Sequence, residues 1–426
     1  MNIGLITTRL FDVPGSGGEV NSHRLLQQLA QAGHGVQLIG RGQAATVDRR
    51  VSVLASSQLS VGPTVQAFDG LARSRQWLEL ALALASGEAS TMRRLAAGDV
   101  GRRVAGVLRK ANAPVLDMLW LDHLHVLPWV SALRRRLPPP VVVMHNIESE
   151  VYTEQAEQLR GRGAGQAIRR AVLRREARLL RQWEQRMLAQ AAAVVCVSDS
   201  DADRLRHIAR QCGASPYIAV LPAFPLRNAA PAAARPRSAL QRIGMLGTWT
   251  WGPNRHALQW MLDQVLPLLP AHCELVLAGS GLDRLALPAK VKVLGRVADV
   301  HSFYNAVDLV AIPALIGSGV QEKAVEAIGM AKPVVASAHA LRGLQPDLPP
   351  TVQVADSATE FARLCGEPPT LGGHHQRAIS DWSLARQQRY QAVIEQCHHA
   401  AGLRQASRGD SAGARAGSSA GRRLQP

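Results

Sequence analysis

Short runs of Val, Ile and Leu alternate with longer helical stretches along most of the chain, and this alternation constrains the fold more than any other feature. It is typical of parallel βαβ units, whose buried strands read as continuous apolar runs. The strands predicted for the first half are Asn2–Thr7, Val36–Ile39, Val51–Leu54, Val115–Leu119, Val141–Met144 and Ala193–Val197. Those predicted for the second half are Arg242–Leu246, Glu274–Ala278, Val291–Leu294, Asp308–Pro313 and Pro333–Ala336. The pattern therefore predicts an α/β protein with two Rossmann-like, doubly wound domains facing a cleft.

Composition along the chain sets the domain boundaries. With 426 residues, 47% of them hydrophobic, the chain is long enough for two cores. The Pro/Ala-rich segment 227–239 is typical of a linker, and it separates an N-terminal domain over 1–226 from a C-terminal domain over 240–373. We predict closing helices over 374–400 and a disordered basic tail over 401–426.

The net charge of +17 is concentrated in two stretches, residues 161–190 and the tail. The first lies within one long predicted helix over 149–190 that is amphipathic. Its predicted apolar stripe contains Ile168, Val172, Leu179, Trp183 and Met187, and its opposite face contains Arg170, Arg174, Arg178 and Arg181. Such clustering favours an anionic membrane surface, and a solvated arginine face is the alternative. No nucleic-acid partner is expected, because the stretch has one aromatic residue and no RNA-binding module.

Several features predict a cytoplasmic protein. The N-terminus has no basic region followed by an apolar stretch and cleavage site, so no signal peptide is expected. No apolar run approaches the roughly 20 residues of a membrane-spanning helix. The five cysteines lie far apart without a C-x-x-C pair, which predicts reduced thiols and neither disulfides nor a zinc site.

A glycine-rich turn follows the predicted strand Asp308–Pro313 and opens a predicted helix over 320–330. Free backbone N–H groups at a helix start, with the helix dipole behind them, suit a diphosphate. Lys323, one turn into this helix, can neutralise phosphate charge, and Glu326 on the same face can accept hydrogen bonds from ribose hydroxyls. By itself a G-x-G turn also fits an ordinary loop beside a solvated Lys–Glu helix face.

The full run, G-S-G-x-x-x-K-x-x-E-A from Gly317 with P-V-V-A from Pro333, resembles the donor-site signature of retaining GT-B glycosyltransferases, the glycosyl transferases group 1 superfamily. Many members carry two glutamates seven residues apart; Glu326 matches the second, and Ser318 stands at the first. The chain therefore resembles the subgroup with the motif G-x-G-x-x-x-K-x-x-E.

Further stretches resemble the same superfamily in chain order. They are the run from Gly247 to Asn254, the turn 278–281, the glycine pair Gly17-Gly18 and the H-N-I-E stretch from His145. The resemblance implies a catalytic role for His145 near the reacting sugar and an acceptor contact for Glu148. The implied donor-binding residues are Gly17, Gly18, Gly247, Arg255, Gly317, Ser318, Gly319, Lys323 and Glu326, with Arg255 as a substitute for absent family cations.

Two histidine and aspartate motifs admit other interpretations. The H-x-H spacing of His123 and His125 could indicate a metallohydrolase, but no further ligands stand at recognisable spacing, so we interpret Asp122 and His123 as acceptor contacts. The D-x-D at 199–201 follows a strand and opens a helix, where Ser198 and an aspartate three residues on form a capping box. We therefore interpret D-x-D as a helix cap. Without the resemblance, His145 fits a capped loop residue equally well.

The resemblance implies a glycosyltransferase that moves a sugar from a nucleotide-sugar donor to a glycan or lipid-linked acceptor, with retention, in cell-surface polysaccharide or glycoconjugate synthesis. No metal or other cofactor is expected, because the sequence has no convincing carboxylate cluster. The arginine face of 161–190 predicts peripheral binding at the inner face of the plasma membrane. Two alternatives stay open: a sugar-nucleotide epimerase on the same fold, and a basic RNA- or membrane-binding protein without catalysis. A Rossmann dehydrogenase is disfavoured, because the first glycines lie well beyond strand one and the second strand ends without an acidic residue.

Overall fold

A computed structural model describes residues 1–10, 17–42, 54–65, 73–96, 98–109, 115–159, 161, 163–226, 240–297, 299–317 and 319–420. The chain divides into two units, one formed by 1–221 with 391–426 and the other by 222–390. The linker predicted at 227–239 lies outside the described residues, as do residues 51–53 of one predicted strand.

The first unit contains a parallel sheet of seven described strands. They are β1 (Asn2–Thr7), β2 (Gly35–Gly40), β3 (Ser57–Ser60), β4 (Met118–Asp122), β5 (Val141–Met144), β6 (Ala193–Cys196) and β7 (Tyr217–Val220). Their spatial order is β3-β2-β1-β4-β5-β6-β7, so the direction of winding reverses between β1 and β4. In doubly wound sheets, ligands bind at the carboxyl ends of the strands beside this reversal.

Helices cover the strands of the first unit. They are α1 (Gly17–Gln31), α2 (Arg73–Ser86), α3 (Ser90–Ala96), α4 (Val100–Leu108), α5 (Leu127–Val130), α6 (Glu148–Gln158), α7 (Ala164–Gln190) and α8 (Asp199–Gln211). Short 3-10 turns occupy Leu124–Val126 and Ser131–Leu133. Buried side chains such as Ile6, Leu121 and Leu180 join sheet and helices in one apolar core.

The second unit contains a parallel sheet of six described strands in the order β10-β9-β8-β11-β12-β13. They are β8 (Gln241–Thr248), β9 (Cys273–Ser280), β10 (Val291–Gly295), β11 (Leu309–Ile312), β12 (Val334–Ala336) and β13 (Val352–Val354). Its helices are α9 (Gly252–Trp260), α10 (Val300–Ala306), α11 (Glu322–Gly329), α12 (Ala358–Gly366) and the start of α13 (Gly373–Ala420). A π-helical turn at Met261–Val265 and 3-10 turns at Leu266–Leu268, Leu282–Arg284 and Ala338–Leu341 complete it.

Most predicted strands are confirmed within three residues at each end, and the differences lie mainly at sheet edges. The edge strand β3 has the polar sequence S-Q-L-S and lies after the predicted 51–54. The edge strands β7 and β13 were not predicted. An edge strand pairs on one side only and buries less surface, so its sequence carries a weaker apolar signal.

The long helix predicted over 149–190 is wrong, because the structure has two helices there, α6 and α7. The chain leaves the helical conformation at Leu159, and Gly161 has a φ of 109° that favours glycine. The predicted stripe is also only partly right: Met187 is buried, whereas the side chain of Ile168 is 58% exposed.

Two glutamates of α7, Glu176 and Glu184, are buried, and each caps the start of another helix. Glu176 accepts hydrogen bonds from the N–H and hydroxyl of Ser90 at 2.7 and 2.9 Å, at the start of α3. Glu184 accepts from the N–H and hydroxyl of Ser149 at 2.9 and 2.6 Å, at the start of α6. Amide groups in the first turn of a helix have no partner within it, so these carboxylates satisfy them. Through Glu184, α7 fixes the start of α6, which carries Glu148.

The tail that was predicted to be disordered over 401–426 continues α13 as far as residue 420 in the structure. Ala401 is buried, and Arg404 donates hydrogen bonds to the carbonyl of Ala189 at 2.5 Å and to that of Ala191. These carbonyls lie at the end of α7 and lack partners within that helix. The hydrogen bonds from Arg404 satisfy them and hold this part of α13 against α7. Residues 421–426 lie outside the described part of the chain.

The predicted closing segment over 374–400 is divided between the two units. Residues from Gln391 onward group with the first unit, where the Gln391 amide donates to the side chain of Gln28 at 2.6 Å. No helix of the described residues is long and apolar enough to cross a membrane. All five cysteines are free thiols.

A glycine contact between β8 and β9 leads to a stability prediction. Gly279 has a φ of +118°, and a Cβ there would lie 1.8 Å from the carbonyl oxygen of Gly247 on the paired strand. We therefore expect Gly279→Ala to lower the free energy of unfolding by about 3 kcal/mol or more, measured by urea unfolding. Gly252→Ala is the matched control, because a Cβ there meets nothing within 4 Å, and we expect a change within about 1 kcal/mol. Equal unfolding midpoints for the two variants would contradict this account.

Candidate functional site

The carboxyl ends of β4 and β5 bring a carboxylate and an imidazole together in the first unit. The strands are paired, Asp122 ends β4, and His145 directly follows β5. The Nε2 of His145 lies 2.6 Å from Oδ1 of Asp122, within hydrogen-bond distance. The hydroxyl of Ser22, on α1, donates to the other oxygen of Asp122. Both oxygens of this buried carboxylate are therefore engaged.

His123 completes the cluster from an uncommon backbone conformation. Its φ is 87°, and its N–H donates to the carbonyl of Val143 at 3.0 Å, which extends the pairing of β4 with β5. The His123 ring lies 4.1 Å from that of His145, and its Nδ1 is 3.4 Å from Oδ1 of Asp122. A Cβ on Gly18 would lie 3.5 Å from Nε2 of His123. Gly18 and its neighbour Gly17 thus open α1 beside the histidine pair.

Charges within the cluster set its protonation. Burial opposes ionisation of Asp122, but the neighbouring His123 and His145 hold the pKa of that carboxyl well below its usual range. Burial also opposes the charge of His123, yet the Asp122 carboxylate raises the pKa of that imidazole. Burial, with a smaller contribution from the charge of Glu184, raises the pKa of Glu148 to about 7. Asp122 is therefore an anion at neutral pH, whereas Glu148 gains or loses its proton close to neutral pH.

The acceptor contact predicted for Asp122 stays a prediction, and the geometry does not favour it for a sugar. The side chain has no exposed surface, and its two oxygens already contact Ser22 and His145. His123 has 23% of its side chain exposed, and its acceptor contact stays a prediction. Its neighbour His125 is buried, and burial lowers its pKa to about 3, so it is a neutral core residue. Ser22 was not predicted, because nothing in the sequence distinguishes it from other serines of a helix.

A second group of side chains forms in the second unit around Lys323. Its Nζ donates to Oδ1 of Asn254 at 3.0 Å, and the Asn254 amide donates to the carbonyl of Thr248 at 3.0 Å. This chain of bonds connects the end of β8 to the first turn of α11. A Cβ on Gly247 would lie 3.0 Å from the Asn254 amide, so glycine leaves room for that side chain. Burial lowers the pKa of Lys323 to about 8.

Glu326 is held by a buried tyrosine. The Tyr304 hydroxyl donates to Oε2 of Glu326 at 3.3 Å and lies 3.4 Å from the carbonyl oxygen of Lys323. Burial and the charge of Glu326 raise the pKa of Tyr304 well above its usual value, so the hydroxyl keeps its proton. The carboxylate and the ammonium group thus stand one helical turn apart, each with an oriented partner.

The glycine turn before α11 is fixed by two residues that follow β12. Gly317 and Gly319 have φ values of +110° and +76°, which favour glycine. The Nε2 of His339 lies 3.1 Å from the Gly317 carbonyl oxygen, and Nε of Arg342 donates to the Gly319 carbonyl at 2.7 Å. Ser318 lies outside the described residues. His339 and Arg342 were not predicted, because they match no motif.

The predicted donor residues thus fall into separate groups. Lys323, Glu326 and the glycine turn come together in the second unit, whereas Gly17 and Gly18 belong to the first. Arg255 is exposed on α9, and none of the contacts described for the Lys323 group involves its side chain.

The D-x-D motif at 199–201 is confirmed as a helix cap. Ser198 accepts a hydrogen bond from the N–H of Asp201 at 3.2 Å and donates its own proton to the Asp201 carboxylate at 2.6 Å.

Comparisons with known proteins agree with this architecture. The model of the family described as Glycosyl transferases group 1 matches residues 241–365. No curated protein matches the sequence. Sucrose-phosphate synthase from Thermosynechococcus elongatus has a TM-score of 0.63 at 16% identity, over 94% of this chain and 99% of its own.

Two further solved structures are similar. HepE from Anabaena, in complex with UDP-glucose, has a TM-score of 0.55 at 16% identity, over 96% of this chain and 100% of its own. A glycosyltransferase from Rickettsia africae has a TM-score of 0.51 at 13% identity, over 94% of this chain and 93% of its own. At these identities the likeness establishes the fold, which is that of the GT-B glycosyltransferases, with two parallel-sheet α/β units.

Proposed function

We propose that this protein is a glycosyltransferase that takes a sugar from a nucleotide-sugar donor bound by the second unit. One observation carries the proposal: Lys323 and Glu326, each oriented by a partly buried hydrogen bond, follow a fixed glycine turn within the segment that matches the family model. A diphosphate suits the turn and the ammonium group, and ribose hydroxyls suit the carboxylate.

The donor is best identified by a thermal-shift panel of nucleotide sugars. HepE was solved with UDP-glucose, so UDP-sugars come first, followed by GDP-, ADP- and dTDP-sugars. A matching donor at 100 times its dissociation constant stabilises the fold by about 2.7 kcal/mol, which raises the melting temperature by a few degrees. Failure of every nucleotide and nucleotide sugar to shift the transition would count against the proposal.

In the first unit, His145 is the proposed catalytic residue, and Asp122 and Ser22 are its positioning residues. His123 and Glu148 are the proposed acceptor contacts, and a glycan or lipid-linked acceptor in cell-surface polysaccharide or glycoconjugate synthesis is the proposed substrate. We propose that transfer retains the anomeric configuration, which proton NMR of the first product formed would test. An epimerase would instead convert the nucleotide sugar with no acceptor present.

Transfer is expected to proceed without a divalent metal. Charge that develops on the leaving diphosphate would be met by Lys323, the backbone N–H groups of the turn and the start of α11. Initial rates in EDTA should therefore equal those in untreated buffer. Loss of transfer in EDTA, restored by manganese, would refute this prediction.

Peripheral binding to anionic membranes is proposed for α7, with its exposed arginines as the contact. Arg174 and Arg178 are exposed, whereas Arg170 donates to the carbonyl of Leu159 and Arg181 lies 3.6 Å from carboxylate oxygens of Glu150 and Glu184. Arg170 and Arg181 therefore make contacts within the first unit, and the test uses only the exposed Arg174 and Arg178.

We expect the double variant Arg174→Gln, Arg178→Gln to lower binding to phosphatidylserine vesicles about 30-fold in low salt, at roughly 1 kcal/mol per arginine. Co-sedimentation is the measurement. The control variant replaces Arg377 and Arg389, which are exposed on α13, with Gln. Equal losses in both double variants, or equal binding of wild type to neutral vesicles, would overturn the proposal.

A further inference from the structure

We propose that Asp122, His123 and His145 form a binding site for a divalent transition metal of the zinc type, and that the bound metal inhibits the protein. The inference goes beyond the proposed function, because metal binding can be measured without any sugar substrate.

The three donor atoms are placed as a metal would need them. Oδ1 of Asp122, a ring nitrogen of His123 and one of His145 all lie within 4.8 Å of one another. Bonds of about 2.0–2.1 Å in a tetrahedral site put ligand atoms about 3.4 Å apart. The distance from Oδ1 of Asp122 to Nδ1 of His123 is 3.4 Å, and that to Nε2 of His145 is 2.6 Å. A metal therefore requires Oδ1 and Nε2 to separate by less than an ångström.

The chemistry of the donors selects the metal. Two imidazoles and one carboxylate suit zinc, cobalt and nickel better than magnesium or calcium, which prefer oxygen ligands alone. Among the described residues, the buried Nδ1 of His123 makes no hydrogen bond, so this nitrogen gains a partner when a metal arrives. Three protein ligands leave one position open on a tetrahedral ion.

Surrounding contacts hold the donors in place. Ser22 donates to Oδ2 of Asp122, whereas both histidines contact Oδ1, which leaves Oδ1 as the metal ligand. Such outer contacts orient ligands and contribute to metal affinity. The backbone N–H of His123 bonds to the carbonyl of Val143, and its Nδ1 already lies 3.4 Å from Oδ1 of Asp122, so its ring needs no large rearrangement.

Inhibition follows from competition for the same atoms. The metal would take the Nε2 of His145 that now bonds to Asp122, and a metal-bound imidazole nitrogen can neither accept nor donate a proton. Zinc should therefore lower transfer reversibly, and EDTA should restore it.

The test is calorimetric titration of zinc into full-length protein freed of metal by a chelator. We expect one tight site per chain in the wild type. His123→Ala removes one ligand and leaves the His145–Asp122 bond, so affinity should fall at least about 100-fold, and Ser22→Ala should lower it about tenfold. His207→Ala, exposed on α8 of the same unit, is the matched control and should bind like wild type.

Cobalt provides an independent readout of the ligands. Cobalt bound by nitrogen and oxygen gives visible absorption bands without the intense near-ultraviolet band of a thiolate, and His123→Ala should lose the visible bands. The proposal is overturned if wild type binds no zinc below millimolar concentration, if His123→Ala binds as tightly as wild type, or if the cobalt spectrum shows a thiolate such as the exposed Cys212.

Discussion

Replacing Lys323 with Ala is expected to lower kcat/KM for sugar transfer by about 100- to 1,000-fold, the largest effect of any single change in the second unit. The ammonium group is held by Asn254 at 3.0 Å, on the first turn of the helix that follows the glycine turn. Negative charge on the leaving diphosphate grows as the glycosidic bond breaks. Loss of the positive charge therefore lowers turnover as well as donor affinity.

Matched variants separate this effect from general damage. Glu326→Ala should mainly raise the dissociation constant of the nucleotide, because ribose hydroxyls change little during the reaction. Lys292→Ala, at an exposed position of β10, should behave like wild type. Calorimetric nucleotide binding and initial rates are the measurements. If folded Lys323→Ala binds and transfers normally, the donor site is assigned wrongly.

The titration of Lys323 gives a second readout of the same site. Burial lowers its pKa to about 8, so the free protein loses this charge at a lower pH than an ordinary lysine does. Donor affinity should therefore fall as the pH rises from about 7 to about 9, and Lys323→Arg should remove that dependence, because arginine stays charged. An unchanged affinity over this range in the wild type would contradict a contact between Lys323 and phosphate.

Replacing His145 with Ala is expected to lower turnover by about 100- to 10,000-fold while leaving nucleotide binding nearly unchanged. The reason is location: His145 belongs to the first unit, whereas Lys323 and Glu326, which are proposed to bind the nucleotide, belong to the second. Turnover and calorimetric binding are measured on the same preparation, with His207→Ala as the control for loss of a histidine.

Asp122→Asn distinguishes positioning from a merely structural role. Asparagine keeps the shape of the side chain, but it has one accepting oxygen in place of two and no negative charge. It therefore cannot accept from both His145 and Ser22, and it no longer stabilises a protonated imidazole. We expect lower turnover with an unchanged KM for the donor and an altered pH–rate profile. A profile identical to that of wild type would show that Asp122 serves the fold alone.

The sequence predicted the parts of the site whose signal is local. Glycines at strand ends and the spacing of Lys323 and Glu326 on one helix lie within short windows, and periodicity predicted most strands. The supporting residues were missed for the opposite reason. Ser22 lies 100 residues from Asp122, and Asn254 lies 69 residues from Lys323. Serine and asparagine are common in helices and loops, so their roles exist only through contacts that folding creates.

Position on the sheet explains the remaining errors. Buried central strands had a clear apolar signal, whereas β3, β7 and β13 have a single neighbour each and a weaker one. Arg404 in the basic tail donates to a carbonyl at the end of α7. These two residues lie more than 200 positions apart in the sequence, so composition could not indicate their contact.

The course of α13 also affects how the protein is made. The first unit consists of residues 1–221 and the segment from 391 onward, so its sequence is interrupted by the whole second unit. During synthesis, the N-terminal sheet must wait for Gln391, which bonds to Gln28, and for His398, whose ring lies 5.3 Å from that of His34. The first unit therefore completes its fold only after the whole second unit has been synthesised. A gene fragment that stops at residue 221 would encode a sheet without its last helix.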